Sequence, residues 1–264
     1  MKKLLSIEYA KIRNYRTFWV LMSIYAVLAP LTFIGLSFLG IPFFPPNEEI
    51  YSFPTIWNYI TWCTSIWNII LGVVMVILVC NEINYKTMRQ NVIDGVSKRN
   101  VILSKFLFLV LIAMVVTLYT FVVALLIGSF YSPISEVMSG IEYLGIFFIQ
   151  TVGYFTFAFM FAVLVKRSAM AIIFYCLTLV IFAPIVGALV TLGSEFAGQV
   201  MPTSVMSDLT PFPFFREQLD MIKEADPNFK EPFVLSQSVR SIIALGYITL
   251  FVGLSYFVLR KRDL

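Results

Sequence analysis

The chain has 264 residues, of which 59% are hydrophobic, 16% aromatic and only 13% charged. This composition lies far from the globular average and indicates a polytopic membrane protein. The chain contains no histidine. The commonest general base and the commonest metal ligand are therefore missing, which argues against catalysis on this chain.

Six apolar segments are long enough to cross a bilayer, since a transmembrane helix needs about 20 residues. The predicted spans are residues 18–39, 56–80, 106–131, 142–165, 169–192 and 241–259. The predicted fold class is an all-α membrane protein, with residues 1–264 forming a single transmembrane domain.

The Lys and Arg residues are unevenly distributed among the segments between these spans. Segments 1–17, 81–105, 166–167 and 260–262 hold 15 of the 19, whereas 11 of the 15 acidic residues lie on the other side, counting Glu142 at the start of the fourth span. Because cytoplasmic segments are enriched in Lys and Arg, both termini are predicted to be cytoplasmic. Nucleic-acid binding would require these charges on one folded soluble face, so we set it aside.

The segment before the first span has the pattern of a surface helix. Leu5, Tyr9 and Ile12 recur at helical spacing, with the basic residues on the other sides. This predicts an amphipathic helix lying in the inner membrane interface. A disordered basic tail is the alternative. The basic residues interrupt the apolar run that a signal peptide requires, and no small-residue cleavage site follows.

Residues 81–105 form a long polar stretch flanked closely by two spans, and it carries five basic residues against two acidic ones. Met88, Val92 and Val96 are spaced by four residues, so they share one side of a short helix, and Gly95 predicts its end. We interpret this segment as a cytosolic helix that docks its apolar side into a groove on a soluble partner. An ordinary solvated basic loop is the alternative.

The later segments predict several local features. Asn68 lies deep enough in the second span to require a partner helix. Residues 166–168 are the whole connection between the fourth and fifth spans, which predicts an antiparallel hairpin. Pro184 and Gly187 predict a kink in the fifth span. The outer loop, residues 193–239, is rich in proline and predicts one or two short interfacial helices, acting either as a lid or as a passive connector.

The sequence lacks several residue patterns that ion coupling, ATP binding, disulfide bonds or a zinc site would require. The predicted spans carry no acid or base at their centres, and Glu82 and Glu142 lie at span ends, where they can remain hydrated. Coupling-ion sites normally need such groups at mid-membrane. The phosphate-binding pattern GxxxxGK[ST] is absent too, so ATP is not bound by that route. The three cysteines have no paired spacing and indicate small buried hydrophobic residues rather than disulfides or a zinc site. We therefore interpret the protein as one that moves something, or forms a membrane platform, with energy arriving from elsewhere, and residues 81–105 are its expected point of entry.

The layout of six spans, an amphipathic helix before the first, a basic loop after the second and a large outer loop before the sixth resembles the permeases of ABC-2 type transporters. Within the basic loop, the order of residues is similar to that family's E, GT, PxSR, K pattern, on Glu82, Lys86, Thr87, Gly95, Val96, Ser97, Lys98, Arg99 and Lys105. Lys86 stands where the family usually has Gly, and Gly95 stands where Pro or another small residue is frequent.

The resemblance implies the permease subunit of an ABC exporter in a bacterial cytoplasmic (inner) membrane. It implies a homodimer, or a heterodimer with a second permease, which docks two cytosolic ATP-binding subunits that hold ATP and Mg. This chain would then have no enzyme activity and no cofactor of its own, and it would contact membrane lipid.

The resemblance also assigns roles to residues. Glu82 would anchor the loop at the membrane, residues 87–97 would form the coupling helix, and Arg99 and Lys105 would hold it near the headgroups. The residues implied in coupling are Glu82, Thr87, Met88, Val92, Gly95, Val96, Ser97 and Arg99. Two other functions stay open at this point: an ion-coupled secondary transporter, and a membrane anchor or platform subunit that transports nothing.

Overall fold

The computed structural model describes residues 2–39, 44–226, 229 and 231–261. Its helices are α1 (Lys2–Arg13), α2 (Arg16–Ser37), α3 (Asn47–Ile50), α4 (Thr55–Ser65), α5 (Asn68–Asn84), α6 (Thr87–Ile93), α7 (Lys98–Gly128), α8 (Glu142–Val165), α9 (Ser168–Leu177), α10 (Ala183–Gly193), α11 (Glu195–Val200), α12 (Pro202–Ser207), α13 (Phe215–Ala225) and α14 (Gln237–Lys261). A 3₁₀ turn at Ile134–Glu136 follows α7, and a π-helical turn at Thr178–Phe182 joins α9 to α10.

In the part of the chain that the structure describes, five elements are long and apolar enough to cross a membrane: α2, α7, α8, the continuous α9–α10 segment and α14. The pair α4 and α5 forms a sixth candidate, bent by 47°. The predicted all-α membrane fold is confirmed.

The second span is not the continuous helix predicted over residues 56–80. It breaks between α4 and α5, at Ile66 and Trp67. Just before the break, Thr61, Thr64 and Ser65 donate hydrogen bonds to carbonyls three or four residues earlier, and such bonds favour bending of a helix. Threonines in α7 and α8 make the same bonds within unbroken helices, so these bonds alone do not produce the break. The first residue after the break, Asn68, is fully buried.

The fifth span is irregular one turn earlier than predicted. Pro184 lacks a backbone N–H, and its ring clashes with the carbonyl four residues before it. The chain widens there into the π-helical turn Thr178–Phe182, which relieves that clash.

The helix α8 lies at the centre of the bundle, packed against α4, α5, α7, α9 and α14. In the most apolar 18-residue stretch of α8, 56% of the residues are buried, against 17% in the corresponding stretch of α2 and 11% in that of α9–α10. The surfaces of α2 and α9–α10 are therefore left for lipid or for another subunit.

The buried side-chain amides of Gln150 and Asn68 hold the connection after α10 against the central helix α8. The Gln150 amide nitrogen donates to the Met206 carbonyl and to the Thr210 hydroxyl, both at 2.8 Å. The Asn68 amide nitrogen donates to the Gln150 side-chain oxygen at 3.5 Å. The partner that Asn68 was predicted to require is thus α8, and Gln150 extends the contact to the segment that contains α11 and α12.

Candidate functional site

The short helix α6 is built by its two ends. It begins after Lys86, whose φ of 57° turns the chain sharply out of α5. It ends at Ile93, followed by Gly95 at a φ of +92°. The Gly95 N–H donates to the Val92 carbonyl at 3.1 Å and the Val96 N–H to the Asn91 carbonyl at 3.0 Å. These are the two hydrogen bonds of a Schellman motif, which explains the requirement for glycine.

The predicted helix over residues 87–97 is therefore too long. Ser97 instead caps the next helix, α7, where its hydroxyl accepts a hydrogen bond from the Asn100 N–H at 3.3 Å. Arg99 is exposed in the first turn of that helix. At the other end of α6, the Thr87 hydroxyl donates to the Glu82 carbonyl at 3.3 Å, which joins α6 to α5.

The apolar side of α6 faces the bundle. Met88 is only 1% exposed, and Val92 and Val96 pack against the same core. Met88 is therefore not available to enter a partner's groove as predicted, whereas Val92 and Val96 are only partly buried. Their spacing correctly placed them on one side, but α5 and α7 flank the helix and cover that side themselves, because burial within the chain removes the apolar surface from water.

Beside this buried side, α6 and the residue before it carry what we name the outward stripe: Tyr85, Arg89 and Ile93. All three are exposed, with Tyr85 at 78% and Ile93 at 66%. They are spaced by four residues, so Arg89 and Ile93 share one side of the helix and Tyr85 lies just before its first turn. Tyrosine and arginine are enriched at protein interfaces, and Ile93 adds a large exposed apolar side chain beside them.

Four charged side chains meet beside α6 in a closed circuit, which we name the charge ring: Glu8 and Lys11 of α1, Glu82 of α5 and Lys105 of α7. The Lys11 ammonium lies 3.2 Å from one Glu8 oxygen and 3.0 Å from one Glu82 oxygen. Lys105 contacts the other oxygen of each carboxylate. Charges therefore alternate around the ring, and every carboxylate oxygen accepts from one lysine.

The ring is largely withdrawn from solvent. The side chains of Lys105, Glu8 and Glu82 are 3%, 5% and 12% exposed. Burial lowers the pKa of Lys11, but Glu82 and Glu8 outweigh that effect and hold its pKa above the ordinary 10.5. The stability contributed by Lys11 is thus fully present below pH 10.5 and is lost as the pH rises through the higher folded pKa.

The structure encloses two residues more fully than the sequence predicted. Glu82 was predicted to be able to remain hydrated, and its side chain is 12% exposed; Lys105, predicted to hold the loop near the lipid headgroups, is 3% exposed. The reason is that α1 folds back over the junction and supplies Glu8, which the prediction did not consider. A signal for Glu8 existed: it is the one acid among the first 47 residues, in an otherwise basic segment.

The predicted apolar stripe of α1 is divided between two environments. Ile12 is buried in the main core, whereas Tyr9 is 58% exposed; the side chain of Leu5 lies outside the described residues. The side of α1 that faces the bundle is formed by Glu8 and Ile12, one helical turn apart. A pattern of hydrophobic residues alone could not reveal a face that buries a carboxylate.

A cavity of about 190 Å³ lies beside the charge ring, between α1, α5 and α7. Its walls are mostly apolar and include Met75, Leu78, Val79, Phe108 and Leu109. Among the residues whose placement is described, no cluster of His, Cys, Asp or Glu could hold a metal ion.

A family model described as "ABC-2 family transporter protein" matches residues 4–192, about seven tenths of the chain. The chain belongs to the ABC-2 transporter family. It is an ABC-2 type permease, a membrane component of transport that is not itself catalytic, and such permeases work with ATP-binding subunits. The matched region includes α6 and all four residues of the charge ring. Comparison with curated protein sequences finds no match.

Proposed function

We propose that this permease is the membrane subunit of an ATP-driven exporter and that the outward stripe on α6 is its docking site for a cytosolic ATP-binding subunit. The observation that carries the proposal is the exposure of Tyr85, Arg89 and Ile93 on a helix whose other side is buried in the bundle. ATP and Mg are held by the partner, two copies of which serve the complex. Residues 87–93 form the coupling helix.

A helix of this kind can transmit force because it is attached on both sides. Met88 fixes it to the core, and the Schellman motif and Ser97 fix the chain where it enters α7. To invert the populations of two membrane conformations, ATP binding must favour one of them by a few kcal/mol. A packed helix that contacts both subunits can carry such a bias.

The charge distribution supports placing α6 in the cytoplasm. The segments rich in Lys and Arg include α1, the α5–α7 connection and the end of α14, and such segments stay on the cytoplasmic side. The same rule supports both termini on the cytoplasmic side and residues 193–239 on the outer side of the membrane, which we propose is a bacterial cytoplasmic membrane.

A second permease copy, identical or related, covers part of the surface of α2 and α9–α10. These are the least buried of the long apolar elements in the described part of the chain, and a transporter with two ATP-binding subunits needs two coupling helices. The apolar and aromatic interior suits a lipid-like, peptide or other hydrophobic cargo better than a small inorganic ion.

The test uses the tagged permease, purified from its native host membranes. A photo-crosslinking amino acid at position 93 is expected to capture a polypeptide that azido-ATP also labels, and Ile93→Asp is expected to lower recovery of that polypeptide by about tenfold or more, as at an interface hot spot. Mass spectrometry identifies the product and immunoblotting measures recovery.

Met138 supplies the matched control, since it is also apolar and strongly exposed, at 74%, but lies in the connection after α7. Met138→Asp should leave recovery unchanged, and a crosslinker at position 138 should capture no ATP-labelled polypeptide. Equal recovery with Ile93→Asp and with the unaltered chain would show that the outward stripe is not the docking site. Transport that stops when ion gradients are collapsed while ATP is kept would instead identify a secondary carrier.

A further inference from the structure

We propose that the charge ring is the joint that makes α1 part of the coupling machinery, so that Glu8, Lys11 and Lys105 are positioning residues for energy transfer. This inference rests on the proposed function of α6. None of the three residues lies on the outward stripe. Their role is to make α1, the end of α5 and the start of α7 move as one unit when α6 is displaced.

The first argument is the position of the ring in the chain. Glu82 lies five residues before the first residue of α6, and Lys105 lies twelve residues after its last. The two residues therefore sit on the helices that enter and leave the coupling segment. Lys105 contacts Glu82 directly, which closes the base of that segment, and both also contact α1.

The second argument is the geometry of pairing. Each lysine contacts both carboxylates and each carboxylate contacts both lysines. Removing one member leaves two partners short of a counter-charge in a buried place, and an uncompensated buried charge is strongly unfavourable. The ring therefore tends to stay complete or to open as a whole, which is the behaviour expected of a joint with two discrete arrangements.

The third argument is that charges, rather than packing, hold much of α1 in place. Beside the ring lies the cavity of about 190 Å³, so the apolar walls of α5 and α7 do not close against α1 there. A second polar contact supports the ring, because the Asn81 amide nitrogen donates to the Tyr15 hydroxyl at 2.9 Å, one residue before Glu82. Ile12 is the described apolar residue of α1 that is buried.

The alternation of charge gives a test that few ion pairs allow. Exchanging Glu8 and Lys105, as Glu8→Lys with Lys105→Glu, keeps the net charge but sets like charges side by side at two of the four contacts. Inverting all four residues also keeps the net charge and restores attraction at every contact. If the charge ring holds α1 against α5 and α7, this attachment should be lost in the pair exchange and restored in the fourfold inversion.

The first measurement needs no partner protein. Deuterium uptake by the amides of residues 2–13 is followed in the full chain reconstituted in nanodiscs. Glu8→Lys and the pair exchange should raise the uptake rate at least tenfold, and the fourfold inversion should bring it back towards that of the unaltered chain. Arg13→Glu reverses an exposed charge on the same helix and should change nothing. If Glu8→Lys does not fold, Glu8→Gln supplies the loss of charge at constant size.

The second measurement separates positioning from simple stability. Spin labels at position 7 on α1 and at the exposed position 242 on α14, which lies outside the unit joined by the ring, report the distance between them in the complex. The chain used has its three cysteines replaced by alanine. ATP with vanadate should change this distance in the chain with an unaltered ring and in the fourfold inversion. In Glu8→Gln the distance should not change, although the crosslink from position 93 should still form.

The outcomes distinguish the two proposals. If the unaltered chain gives no crosslink at position 93, the docking proposal fails, but the deuterium uptake still tests whether the charge ring holds α1. If the crosslink forms but Glu8→Gln keeps both the slow uptake and the nucleotide-dependent distance change, the charge ring is not the joint. An uptake rate that fails to recover in the fourfold inversion also contradicts it, because alternation of charge would then not be what holds α1.

Discussion

Burial divides the residues of α6 into two groups with different consequences for mutation. Met88 is enclosed by the core at 1% exposure, whereas Ile93, five residues later, is 66% exposed. A side chain of the first kind contributes to stability by filling space between helices, because truncating it leaves a cavity. A side chain of the second kind contributes little to stability and is available for a partner.

Met88→Ala is accordingly expected to lower the free energy of unfolding by about 2 to 4 kcal/mol, since deletion of a buried methionine side chain costs both transfer and cavity energy. Ile93→Ala should change it by less than about 0.5 kcal/mol, as an exposed position does. Unfolding in detergent, followed by circular dichroism, measures both. Equal effects of the two substitutions would show that α6 does not pack as the structure has it.

At the scale of elements, the segment after α10 is held by side chains from two directions. Gln150 of α8 donates to its Met206 and Thr210. Arg240 of α14 donates to the Asp208 carbonyl and to the Gln199 side-chain oxygen, both at 3.1 Å. The Gln150 bonds are buried and Arg240 itself is only 5% exposed, so losing one of these bonds leaves polar groups without partners and is costly. The segment is thus fixed to the bundle and is not a loose connector.

Gln150→Leu should release the segment from α8 without removing volume from the core. Each lost buried hydrogen bond costs about 1 kcal/mol, so amide exchange over residues 201–210 is expected to quicken about tenfold or more. Hydrogen–deuterium exchange with mass spectrometry measures the change. Gln218→Leu, on α13, is the control and should leave that exchange as it was. Unaltered exchange in Gln150→Leu would mean that Arg240 and the backbone suffice to hold the segment.

At the scale of the whole molecule, the sequence predicts the apolar spans well because length and hydropathy determine them. It predicts breaks within a span less well, since the second span bends by 47° between α4 and α5 although its hydropathy is continuous. It could not predict the charge ring, because Glu8 and Lys105 are 97 residues apart in the chain. Periodicity shows which residues share a helix face but not which neighbour covers that face.

The sidedness of the bundle is tested by labelling with a membrane-impermeant maleimide in the chain without its native cysteines. Met138→Cys should react in intact cells, because its connection is predicted to face outward, whereas Ile93→Cys should react only after permeabilisation. Both sites are strongly exposed, so a difference in reactivity reports the side and not burial. Reaction of both in intact cells would contradict the proposed orientation.

The distance along the chain between Glu8 and Lys105 also sets the order of events during synthesis. At about 5 to 20 residues per second, the ribosome needs about 5 to 20 s to make the intervening 97 residues. Throughout that interval Lys105 does not exist, and the Glu8 carboxylate has Lys11 of its own helix as a counter-charge. Helix α1 is therefore translated well before its binding site is complete, and that site forms only when the third span has been translated and inserted.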